Sequence, residues 1–594
     1  VTSPTLNLAA IGNCQISALI DTAGRIVWAC LPRLDGDPVF CSLLGGDADD
    51  GYCDIDMTNI ASSEQRYQRN TAIVETLLHD STGATLRIRD FCPRHRRFNR
   101  MFRPMMMIRI IEPIAGRPLI RVRIRPRQDY GASRPRITVG SNHVRFEGNK
   151  LTLRLTTDAA ITSILEERPF VLSNRIALVM GPDETLAEAA SSFALSMLEA
   201  TQRYWLDWVR TLAVPFEWQE AVVRAAITLK LCSFEDTGAV IAAMTTSIPE
   251  SPNSGRNWDY RFCWLRDSYF TVQALNRLGA TRTMEAYLGY IVNIIESAQG
   301  GQLQPLYGIS GEAQLDEQVV ETLPGYRSMG PVRVGNQAYQ QLQHDVYGAV
   351  ILAATQAFFD ERLEVPGDRA LFECLERLGE RAVLLYDKPD SGLWEYRGRS
   401  GVHTFSSVMC WAGCDRLARI SAALGLGDRR SYWRERADAM HAQILQLGWD
   451  AGQQSFTEVF GRPALDASLL LLHELGYLSA RDPRFLSTIG MVERSLRRNS
   501  YVMRYHSEDD FGVPENAFNF CSFWYINALA VVGRREEARD LFEHMLERRT
   551  PQGLLSEDLD PRTGELWGNY PQTYSLVGII NAAMRLSRTW EDAL

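Results

Sequence analysis

Near residue 185 the spacing of apolar residues changes from every second position to the three-and-four spacing of helices, and it keeps that spacing to the C-terminus. A chain with such a switch folds as two unlike parts. Before it, Ile120, Val122 and Ile124 alternate with arginines in Leu119–Arg125, and Lys150–Thr156 repeats the pattern. These are half-buried strands, punctuated by turn signals at Ser81-Thr-Gly83, Ala115-Gly-Arg-Pro118 and Glu147-Gly-Asn149. The pattern predicts an N-terminal antiparallel β-sandwich over 1–184 and an amphipathic helical linker over 185–214, ending at Val214-Pro215. Over 215–594, twelve apolar-periodic segments start near Glu217, Asp267, Thr281, Asn336, Asp368, Ser406, Arg429, Ala467, Pro483, Ala517, Arg535 and Gln572. Paired as hairpins they predict an (α/α)6 barrel; a helical solenoid has the same local signature, but no side-chain motif recurs at a fixed period. The expected fold class is therefore multidomain α and β.

Composition narrows the function. With 594 residues, 45% hydrophobic, the chain can bury more than one core. Its 63 basic residues against 72 acidic ones leave a net charge of −9, which argues against an obligate polyanion binder and for a neutral substrate. The basic run Arg94–Arg103, with aromatics interleaved, would suit RNA, but in an acidic chain it reads as a solvated hairpin. Its 11 cysteines form no CxxC pair, and the N-terminus has no basic and apolar leader pattern. No apolar run approaches membrane length. These features predict a cytoplasmic protein with no membrane or nucleic-acid partner; a homo-oligomer stays open. None of the nine histidines forms HxxxH or HExxH, and no phosphate-cradling glycine motif is present, so no metal or cofactor is expected. His344 and His403 read as hydrogen-bonded structural residues.

The chemistry concentrates in long helix connections, 236–266, 300–334, 388–405, 498–516 and 550–571, because loops of that length in a compact domain are usually functional. They carry Asn257-Trp-Asp-Tyr-Arg-Phe-Cys-Trp-Leu-Arg-Asp267, Tyr307, Tyr326, Arg333, Trp394-Glu395, Glu557 and Trp567. Aromatic rings beside carboxylates and arginines are what a sugar pocket needs, since a pyranose has apolar C–H faces and a rim of hydroxyls.

At these residues the sequence resembles glycoside hydrolase family 15, the family of glucoamylases, glucodextranases and bacterial trehalases. The resemblance covers most of the chain: Ile11–Asp21, Gly24–Trp28 and Pro32–Asp35, then Thr245–Glu250, Asn257–Arg261, Trp264–Asp267, Gly325–Asn336 and Cys521–Trp524. It implies a β-sandwich, a helical linker and an (α/α)6 barrel. It also implies an inverting hydrolase, which needs one protonated carboxyl group and one ionised one holding water. The resemblance assigns the general acid to Glu395 and the general base to Glu557. Burial beside Trp394 is expected to raise the pKa of Glu395, and Ser556 and Asp558 are expected to keep Glu557 ionised. Glu250, Glu312, Glu317, Glu508, Asp509 and Asp558 compete as loop carboxylates, with Asp558 the first reserve.

Arg266 and Asp267 match the family motif that binds the glucose at the cleaved end; an internal ion pair capping the next helix is the structural alternative for Asp267. Trp258, Tyr260, Trp264, Tyr307 and Trp394 are expected to stack on sugar rings, and Arg333 and Trp567 to line the same pocket. Phe405, Ser407 and Glu515–Phe518 depart from common bacterial patterns near the expected aglycone side, which bears on substrate choice rather than reaction type. The expected activity is exo-acting release of glucose from a small α-glucoside, trehalose preferred, with α-1,4 or α-1,6 gluco-oligosaccharides such as maltose and isomaltose as the alternative. A phosphorolytic enzyme and a non-enzymatic regulatory relative are the rivals. The paired glutamates and the Arg266-Asp267 pair count against them.

Overall fold

A computed structural model describes residues 4–46, 49–298 and 301–593. Two antiparallel sheets open the chain. The first runs, in spatial order, Leu8–Gly12, Ser17–Asp21, Ile26–Leu31, Tyr52–Met57, Leu119–Arg125 and Phe170–Val171, with Asp37–Phe40 paired to the third strand. The second runs Arg136–Val139, His143–Glu147, Thr152–Thr157, Ile176–Gly181, Met107–Ala115, Thr85–Phe91, Val74–Asp80 and Ile60–Tyr67. Ile20, Ile26 and Val122 from one sheet and Ile88, Ile111 and Leu178 from the other belong to one buried cluster. Leu119–Arg125 alternates as predicted, with Ile120, Val122 and Ile124 buried and its arginines on the wetter face, where Arg123 pairs with Asp54 at 2.7 Å. A five-residue helix, α1 (Ile161–Leu165), interrupts the strands.

The predicted linker is a packed element. Helix α2 (Ala190–Arg210) buries Ala190, Ala194, Leu198, Thr201, Trp205 and Val209, a stripe at three-and-four spacing, and its first half lies against Phe91, Ile108 and Val179 of the second sheet.

Beyond it come α3 (Gln219–Leu231), α4 (Leu265–Arg277), α5 (Thr281–Ser297), α6 (Asp345–Thr355), α7 (Arg369–Leu385), α8 (Thr404–Ala423), α9 (Gly427–Gly448), α10 (Pro483–Leu496), α11 (Asn519–Val531), α12 (Arg535–Glu547) and α13 (Thr573–Leu586). Helices α4, α6 and α8, the 3-10 segment Ala467–Leu471, α11 and α13 pack in succession, and α13 returns to pack on α4. That last contact closes the ring and excludes a solenoid, whose ends stay apart.

Two predicted helix starts are corrected. At Asn336 the side chain accepts from the Ala338 N–H and caps only a 3-10 turn, Gln337–Gln340; extended backbone at Gln341 ends it, and α6 begins at Asp345. The Ala467 segment stays a 3-10 turn of five residues. The basic run does form a hairpin, His95–Arg97 with Arg100–Phe102, but Arg94 is not solvated. It is 1% exposed, donates to the Asn13 carbonyl at 2.9 Å and pairs with Glu235 at 2.6 Å, fastening sandwich to barrel. All eleven cysteines are unpaired and buried. Among the described residues no helix is long and apolar enough to cross a membrane.

Candidate active site

The sandwich supports the first wall of the site. Trp28 donates its indole N–H to the Met244 carbonyl at 2.9 Å, and Arg261 donates to the Gly36 carbonyl at 2.8 Å while pairing with Asp259 at 2.8 Å. Asp259 in turn accepts from the Gly335 N–H at 3.2 Å. The buried ion pair thus fixes the backbone between Trp258 and Tyr260, so that both side chains line one pocket of about 100 Å3.

Glu395 enters that pocket from a loop held at three points. Asp390 accepts from the His344 N–H at 2.8 Å, the Gly392 N–H at 3.1 Å and the Ser406 hydroxyl at 2.7 Å, with His403 Nδ1 also 2.7 Å away. Trp394 donates to Asp466 at 2.6 Å, and the Tyr396 hydroxyl donates to Glu458 at 2.7 Å. Between these anchors Glu395 adopts φ 59°, a left-handed conformation that costs a non-glycine residue about 1–3 kcal/mol and persists only where the surroundings enforce it. Its Oε1 accepts from Trp264 Nε1 at 2.7 Å and from Gln343 Nε2 at 3.2 Å, with Arg266 at 3.7 Å.

Glu557 faces the same pocket from beside the strand pair Ala517–Phe518 and Asp558–Leu559. Its N–H donates to the Asn569 carbonyl at 3.1 Å and its carbonyl accepts from the Asn519 N–H at 2.9 Å. Oε1 accepts from the Tyr260 hydroxyl at 2.5 Å and lies 3.4 Å from Gln572 Nε2, whereas Oε2 has no partner among the described residues. Burial pushes this carboxyl well above its ordinary pKa, and the negative charge of Glu250 adds to the shift; the Tyr260 hydrogen bond and the Arg504 charge act against it. Asp267 is pushed up to about 6 by burial, opposed by Arg266.

Of the predicted site residues, Glu395, Glu557, Arg266, Asp267, Trp258, Tyr260, Trp264 and Trp394 come together around this pocket. Asp267 lines it and also forms an ion pair with Arg266 at 3.3 Å, but makes no helix-capping hydrogen bond. Three residues do not belong to the pocket wall. Tyr307 is buried in the strand pair with Cys263 and accepts from the Gln304 N–H. Arg333 donates to the carbonyls of Gly255 and Asn257 behind the wall. Trp567 packs edge-on against Tyr326 with Arg327 above it.

Other expectations also need correction. The guanidinium groups of Arg333 and Arg397 both lie over the Trp258 ring, at 4.8 and 4.4 Å, so its face is already occupied by protein. Trp394 turns its indole N–H to Asp466 rather than setting the environment of the Glu395 carboxyl, whose contacts are Trp264 and Gln343. Ser556 donates to the Asp558 carbonyl, and Asp558 is itself a buried carboxyl pushed upward, so neither keeps Glu557 ionised. Phe405 and Ser407 are buried within α8, with Ser407 bonded to the Tyr386 carbonyl, and so lie behind the acid loop. Of the competing carboxylates, Glu250 and Asp509 reach the pocket, but arginines hold both: Arg504 with Glu250 at 2.5 Å and Arg256 with Asp509 at 2.6 Å.

Sequence reasoning missed Arg504, Gln572 and Tyr574, which line the pocket, and Gln343, which reaches Glu395. Arg504 stands in Met503-Arg-Tyr-His506 with no spacing that sets it apart from other arginines.

The family described as glycosyl hydrolases family 15 matches residues 218–584, and one described as trehalase-like, N-terminal, matches 2–170. The chain belongs to glycosyl hydrolases family 15. It is a glycoside hydrolase with the fold of that family. A trehalase of Mycobacterium tuberculosis is 33% identical over 99% of this chain and 90% of its own. One of Mycolicibacterium smegmatis is 31% identical over 99% and 92%, and one of Thermoplasma volcanium 30% identical over 98% and 93%. A bacterial glucoamylase solved with acarbose shares the fold at a TM-score of 0.72 and 14% identity, over 99% of this chain and 94% of that one. As a family 15 protein the chain therefore aligns along its whole length, sandwich included.

Proposed function

We propose that the protein is an anomer-inverting trehalase. Glu395 is the general acid that protonates the glycosidic oxygen, and Glu557 is the general base that takes a proton from the water attacking C1 from the other face. The observation that carries this reading is the unlike setting of two glutamates on one pocket: Glu395 Oε1 is engaged by fixed donors, while Glu557 accepts from Tyr260 through Oε1 and its buried Oε2 has no hydrogen-bond partner among the described residues. A raised pKa makes the ionised form of Glu557 a stronger base. Arg266 and Asp267 hold the hydroxyls of the cleaved glucose. Trehalose is chosen as substrate because the trehalases named above align with the chain end to end. In this reading 215–594 is the catalytic unit, 1–184 buttresses its first wall, and 185–214 joins them.

Proton NMR of trehalose hydrolysis tests the reading. Equal initial release of α- and β-glucose is expected, since one glucose is inverted and the other leaves unchanged. Two α-glucoses, or turnover of maltose with trehalose untouched, would overturn it. Roles separate with α-glucosyl fluoride, whose leaving group needs no acid: Glu395→Gln should retain activity on it and Glu557→Gln should not.

A further inference from the structure

A second cleft, about 660 Å3, lies where the sandwich turn around Arg69 meets the start of α3 and the segment following α12. It is separate from the catalytic pocket and shares no lining residue with it. Four arginines line it: Arg66, Arg69, Arg224 and Arg549. Arg66 is paired with Glu75 at 2.8 Å; among the described residues the other three are in no ion pair with a carboxylate. Arg224 is only 8% exposed. It spends one amino group on the Thr71 carbonyl at 2.8 Å and stacks on Tyr67 at 3.4 Å, leaving Nη1 without a partner. Among the described residues Glu220 is the one acidic residue lining it. A buried, unpaired guanidinium is costly, and burial holds both Arg224 and Arg549 below the usual arginine range.

The same wall holds two buried acceptors with no donor, Gln68 Oε1 and Gln552 Oε1. Guanidinium donors call for an oxyanion, and orphan amide oxygens call for hydroxyl groups. We infer that this interdomain cleft binds a small polyhydroxylated anion, of the class of a sugar phosphate, with the anionic group on Arg69, Arg224 and Arg549 and the hydroxyls on Gln68 and Gln552. The cleft is far larger than a bare tetrahedral anion requires. Because its walls come from both the sandwich and the barrel, a bound ligand would bridge the two.

Isothermal titration of the full chain with glucose 6-phosphate, inorganic phosphate and glucose in parallel tests this. Glucose 6-phosphate should bind with trehalose present, at least tenfold more tightly than either fragment. Arg549→Gln, and separately Arg69→Gln at an exposed position where folding is not at stake, should each weaken it by about tenfold or more. Phosphate binding as tightly as glucose 6-phosphate would overturn the hydroxyl half of the inference. Competition with trehalose, indifference to both substitutions, or no binding would overturn the site.

Discussion

Tyr260 and Trp264 meet edge to face with ring centroids 5.3 Å apart, and each hydrogen-bonds a different glutamate: Tyr260 donates to Glu557 at 2.5 Å, Trp264 to Glu395 at 2.7 Å. One short segment of chain therefore sets the spacing and orientation of both carboxylates. The strand pair Cys263–Trp264 with Leu306–Tyr307 and the N-terminus of α4 hold that segment, which explains the buried but indirect place of Tyr307.

The Tyr260 contact predicts a pH effect of definite sign. Its hydrogen bond favours ionised Glu557, so Tyr260→Phe should raise the pKa of the base further. The base works only when ionised, so activity is lost as pH falls through that pKa. The acid limb of kcat/KM should move to higher pH in the variant, with kcat reduced about tenfold or more at neutral pH. A limb that stays in place would separate Tyr260 from the base.

Asp267 predicts the shape of the same limb. Held near pKa 6 by burial, it offers sugar hydroxyls two charged acceptor oxygens only as the carboxylate, so its charge-assisted contribution falls away as pH falls through about 6. With Glu557 requiring ionisation as well, log kcat/KM should approach a slope of two on the acid side. Asp267→Asn should lower kcat/KM by about 100-fold and leave a slope of one. A wild-type slope of one would mean that one of the two carboxylates does not titrate in this range.

Much of this arrangement was legible in the chain. Period two and helical spacing separate sandwich from barrel because each residue's burial there is set by its own element. The eight pocket residues found in advance sit in or directly beside connections dense with aromatics and carboxylates, Arg266 and Asp267 in the first turn of α4. Tyr307, Arg333 and Trp567 share that composition and still face away, because their directions are set by strand pairing and by carbonyls distant in sequence, such as those of Gly255 and Asn257. Arg504 and Gln343 were invisible for the converse reason: each is one ordinary polar residue until the closed ring brings it to Glu250 or Glu395. The 3-10 turn at Ala467 was missed because Ala467–Leu471, apolar apart from Ser468, looks the same whether a helix continues or stops.

The anchors of the acid loop predict a positioning effect. Asp466, pushed up to about 7 by burial and by the Glu458 charge, holds the Trp394 indole next to Glu395 and does not line the pocket. Asp466→Ala should release the left-handed backbone at Glu395 and lower kcat by about 10- to 100-fold with little change in KM, since sugar binding rests on Arg266 and Asp267. Asp466→Asn retains an acceptor and should recover most of the loss. Equal loss of thermal stability and activity in both variants would reduce Asp466 to a structural role.

Gly568 predicts how little room the base has. Its φ is 75°, and a Cβ built there would lie 2.8 Å from Glu557 Cβ and 3.0 Å from Oε2, the oxygen with no partner among the described residues. Gly568→Ala therefore meets both backbone strain and a displaced carboxylate. Because Gly568 donates its N–H to the Pro249 carbonyl at 2.8 Å, the strain is shared with the segment bearing Glu250. The variant should lose about 1–3 kcal/mol of stability in denaturant unfolding and, while folded, most of its kcat on trehalose. On α-glucosyl fluoride it should be impaired as much as on trehalose, since the base serves both. Preserved fluoride turnover would place the damage at the acid instead.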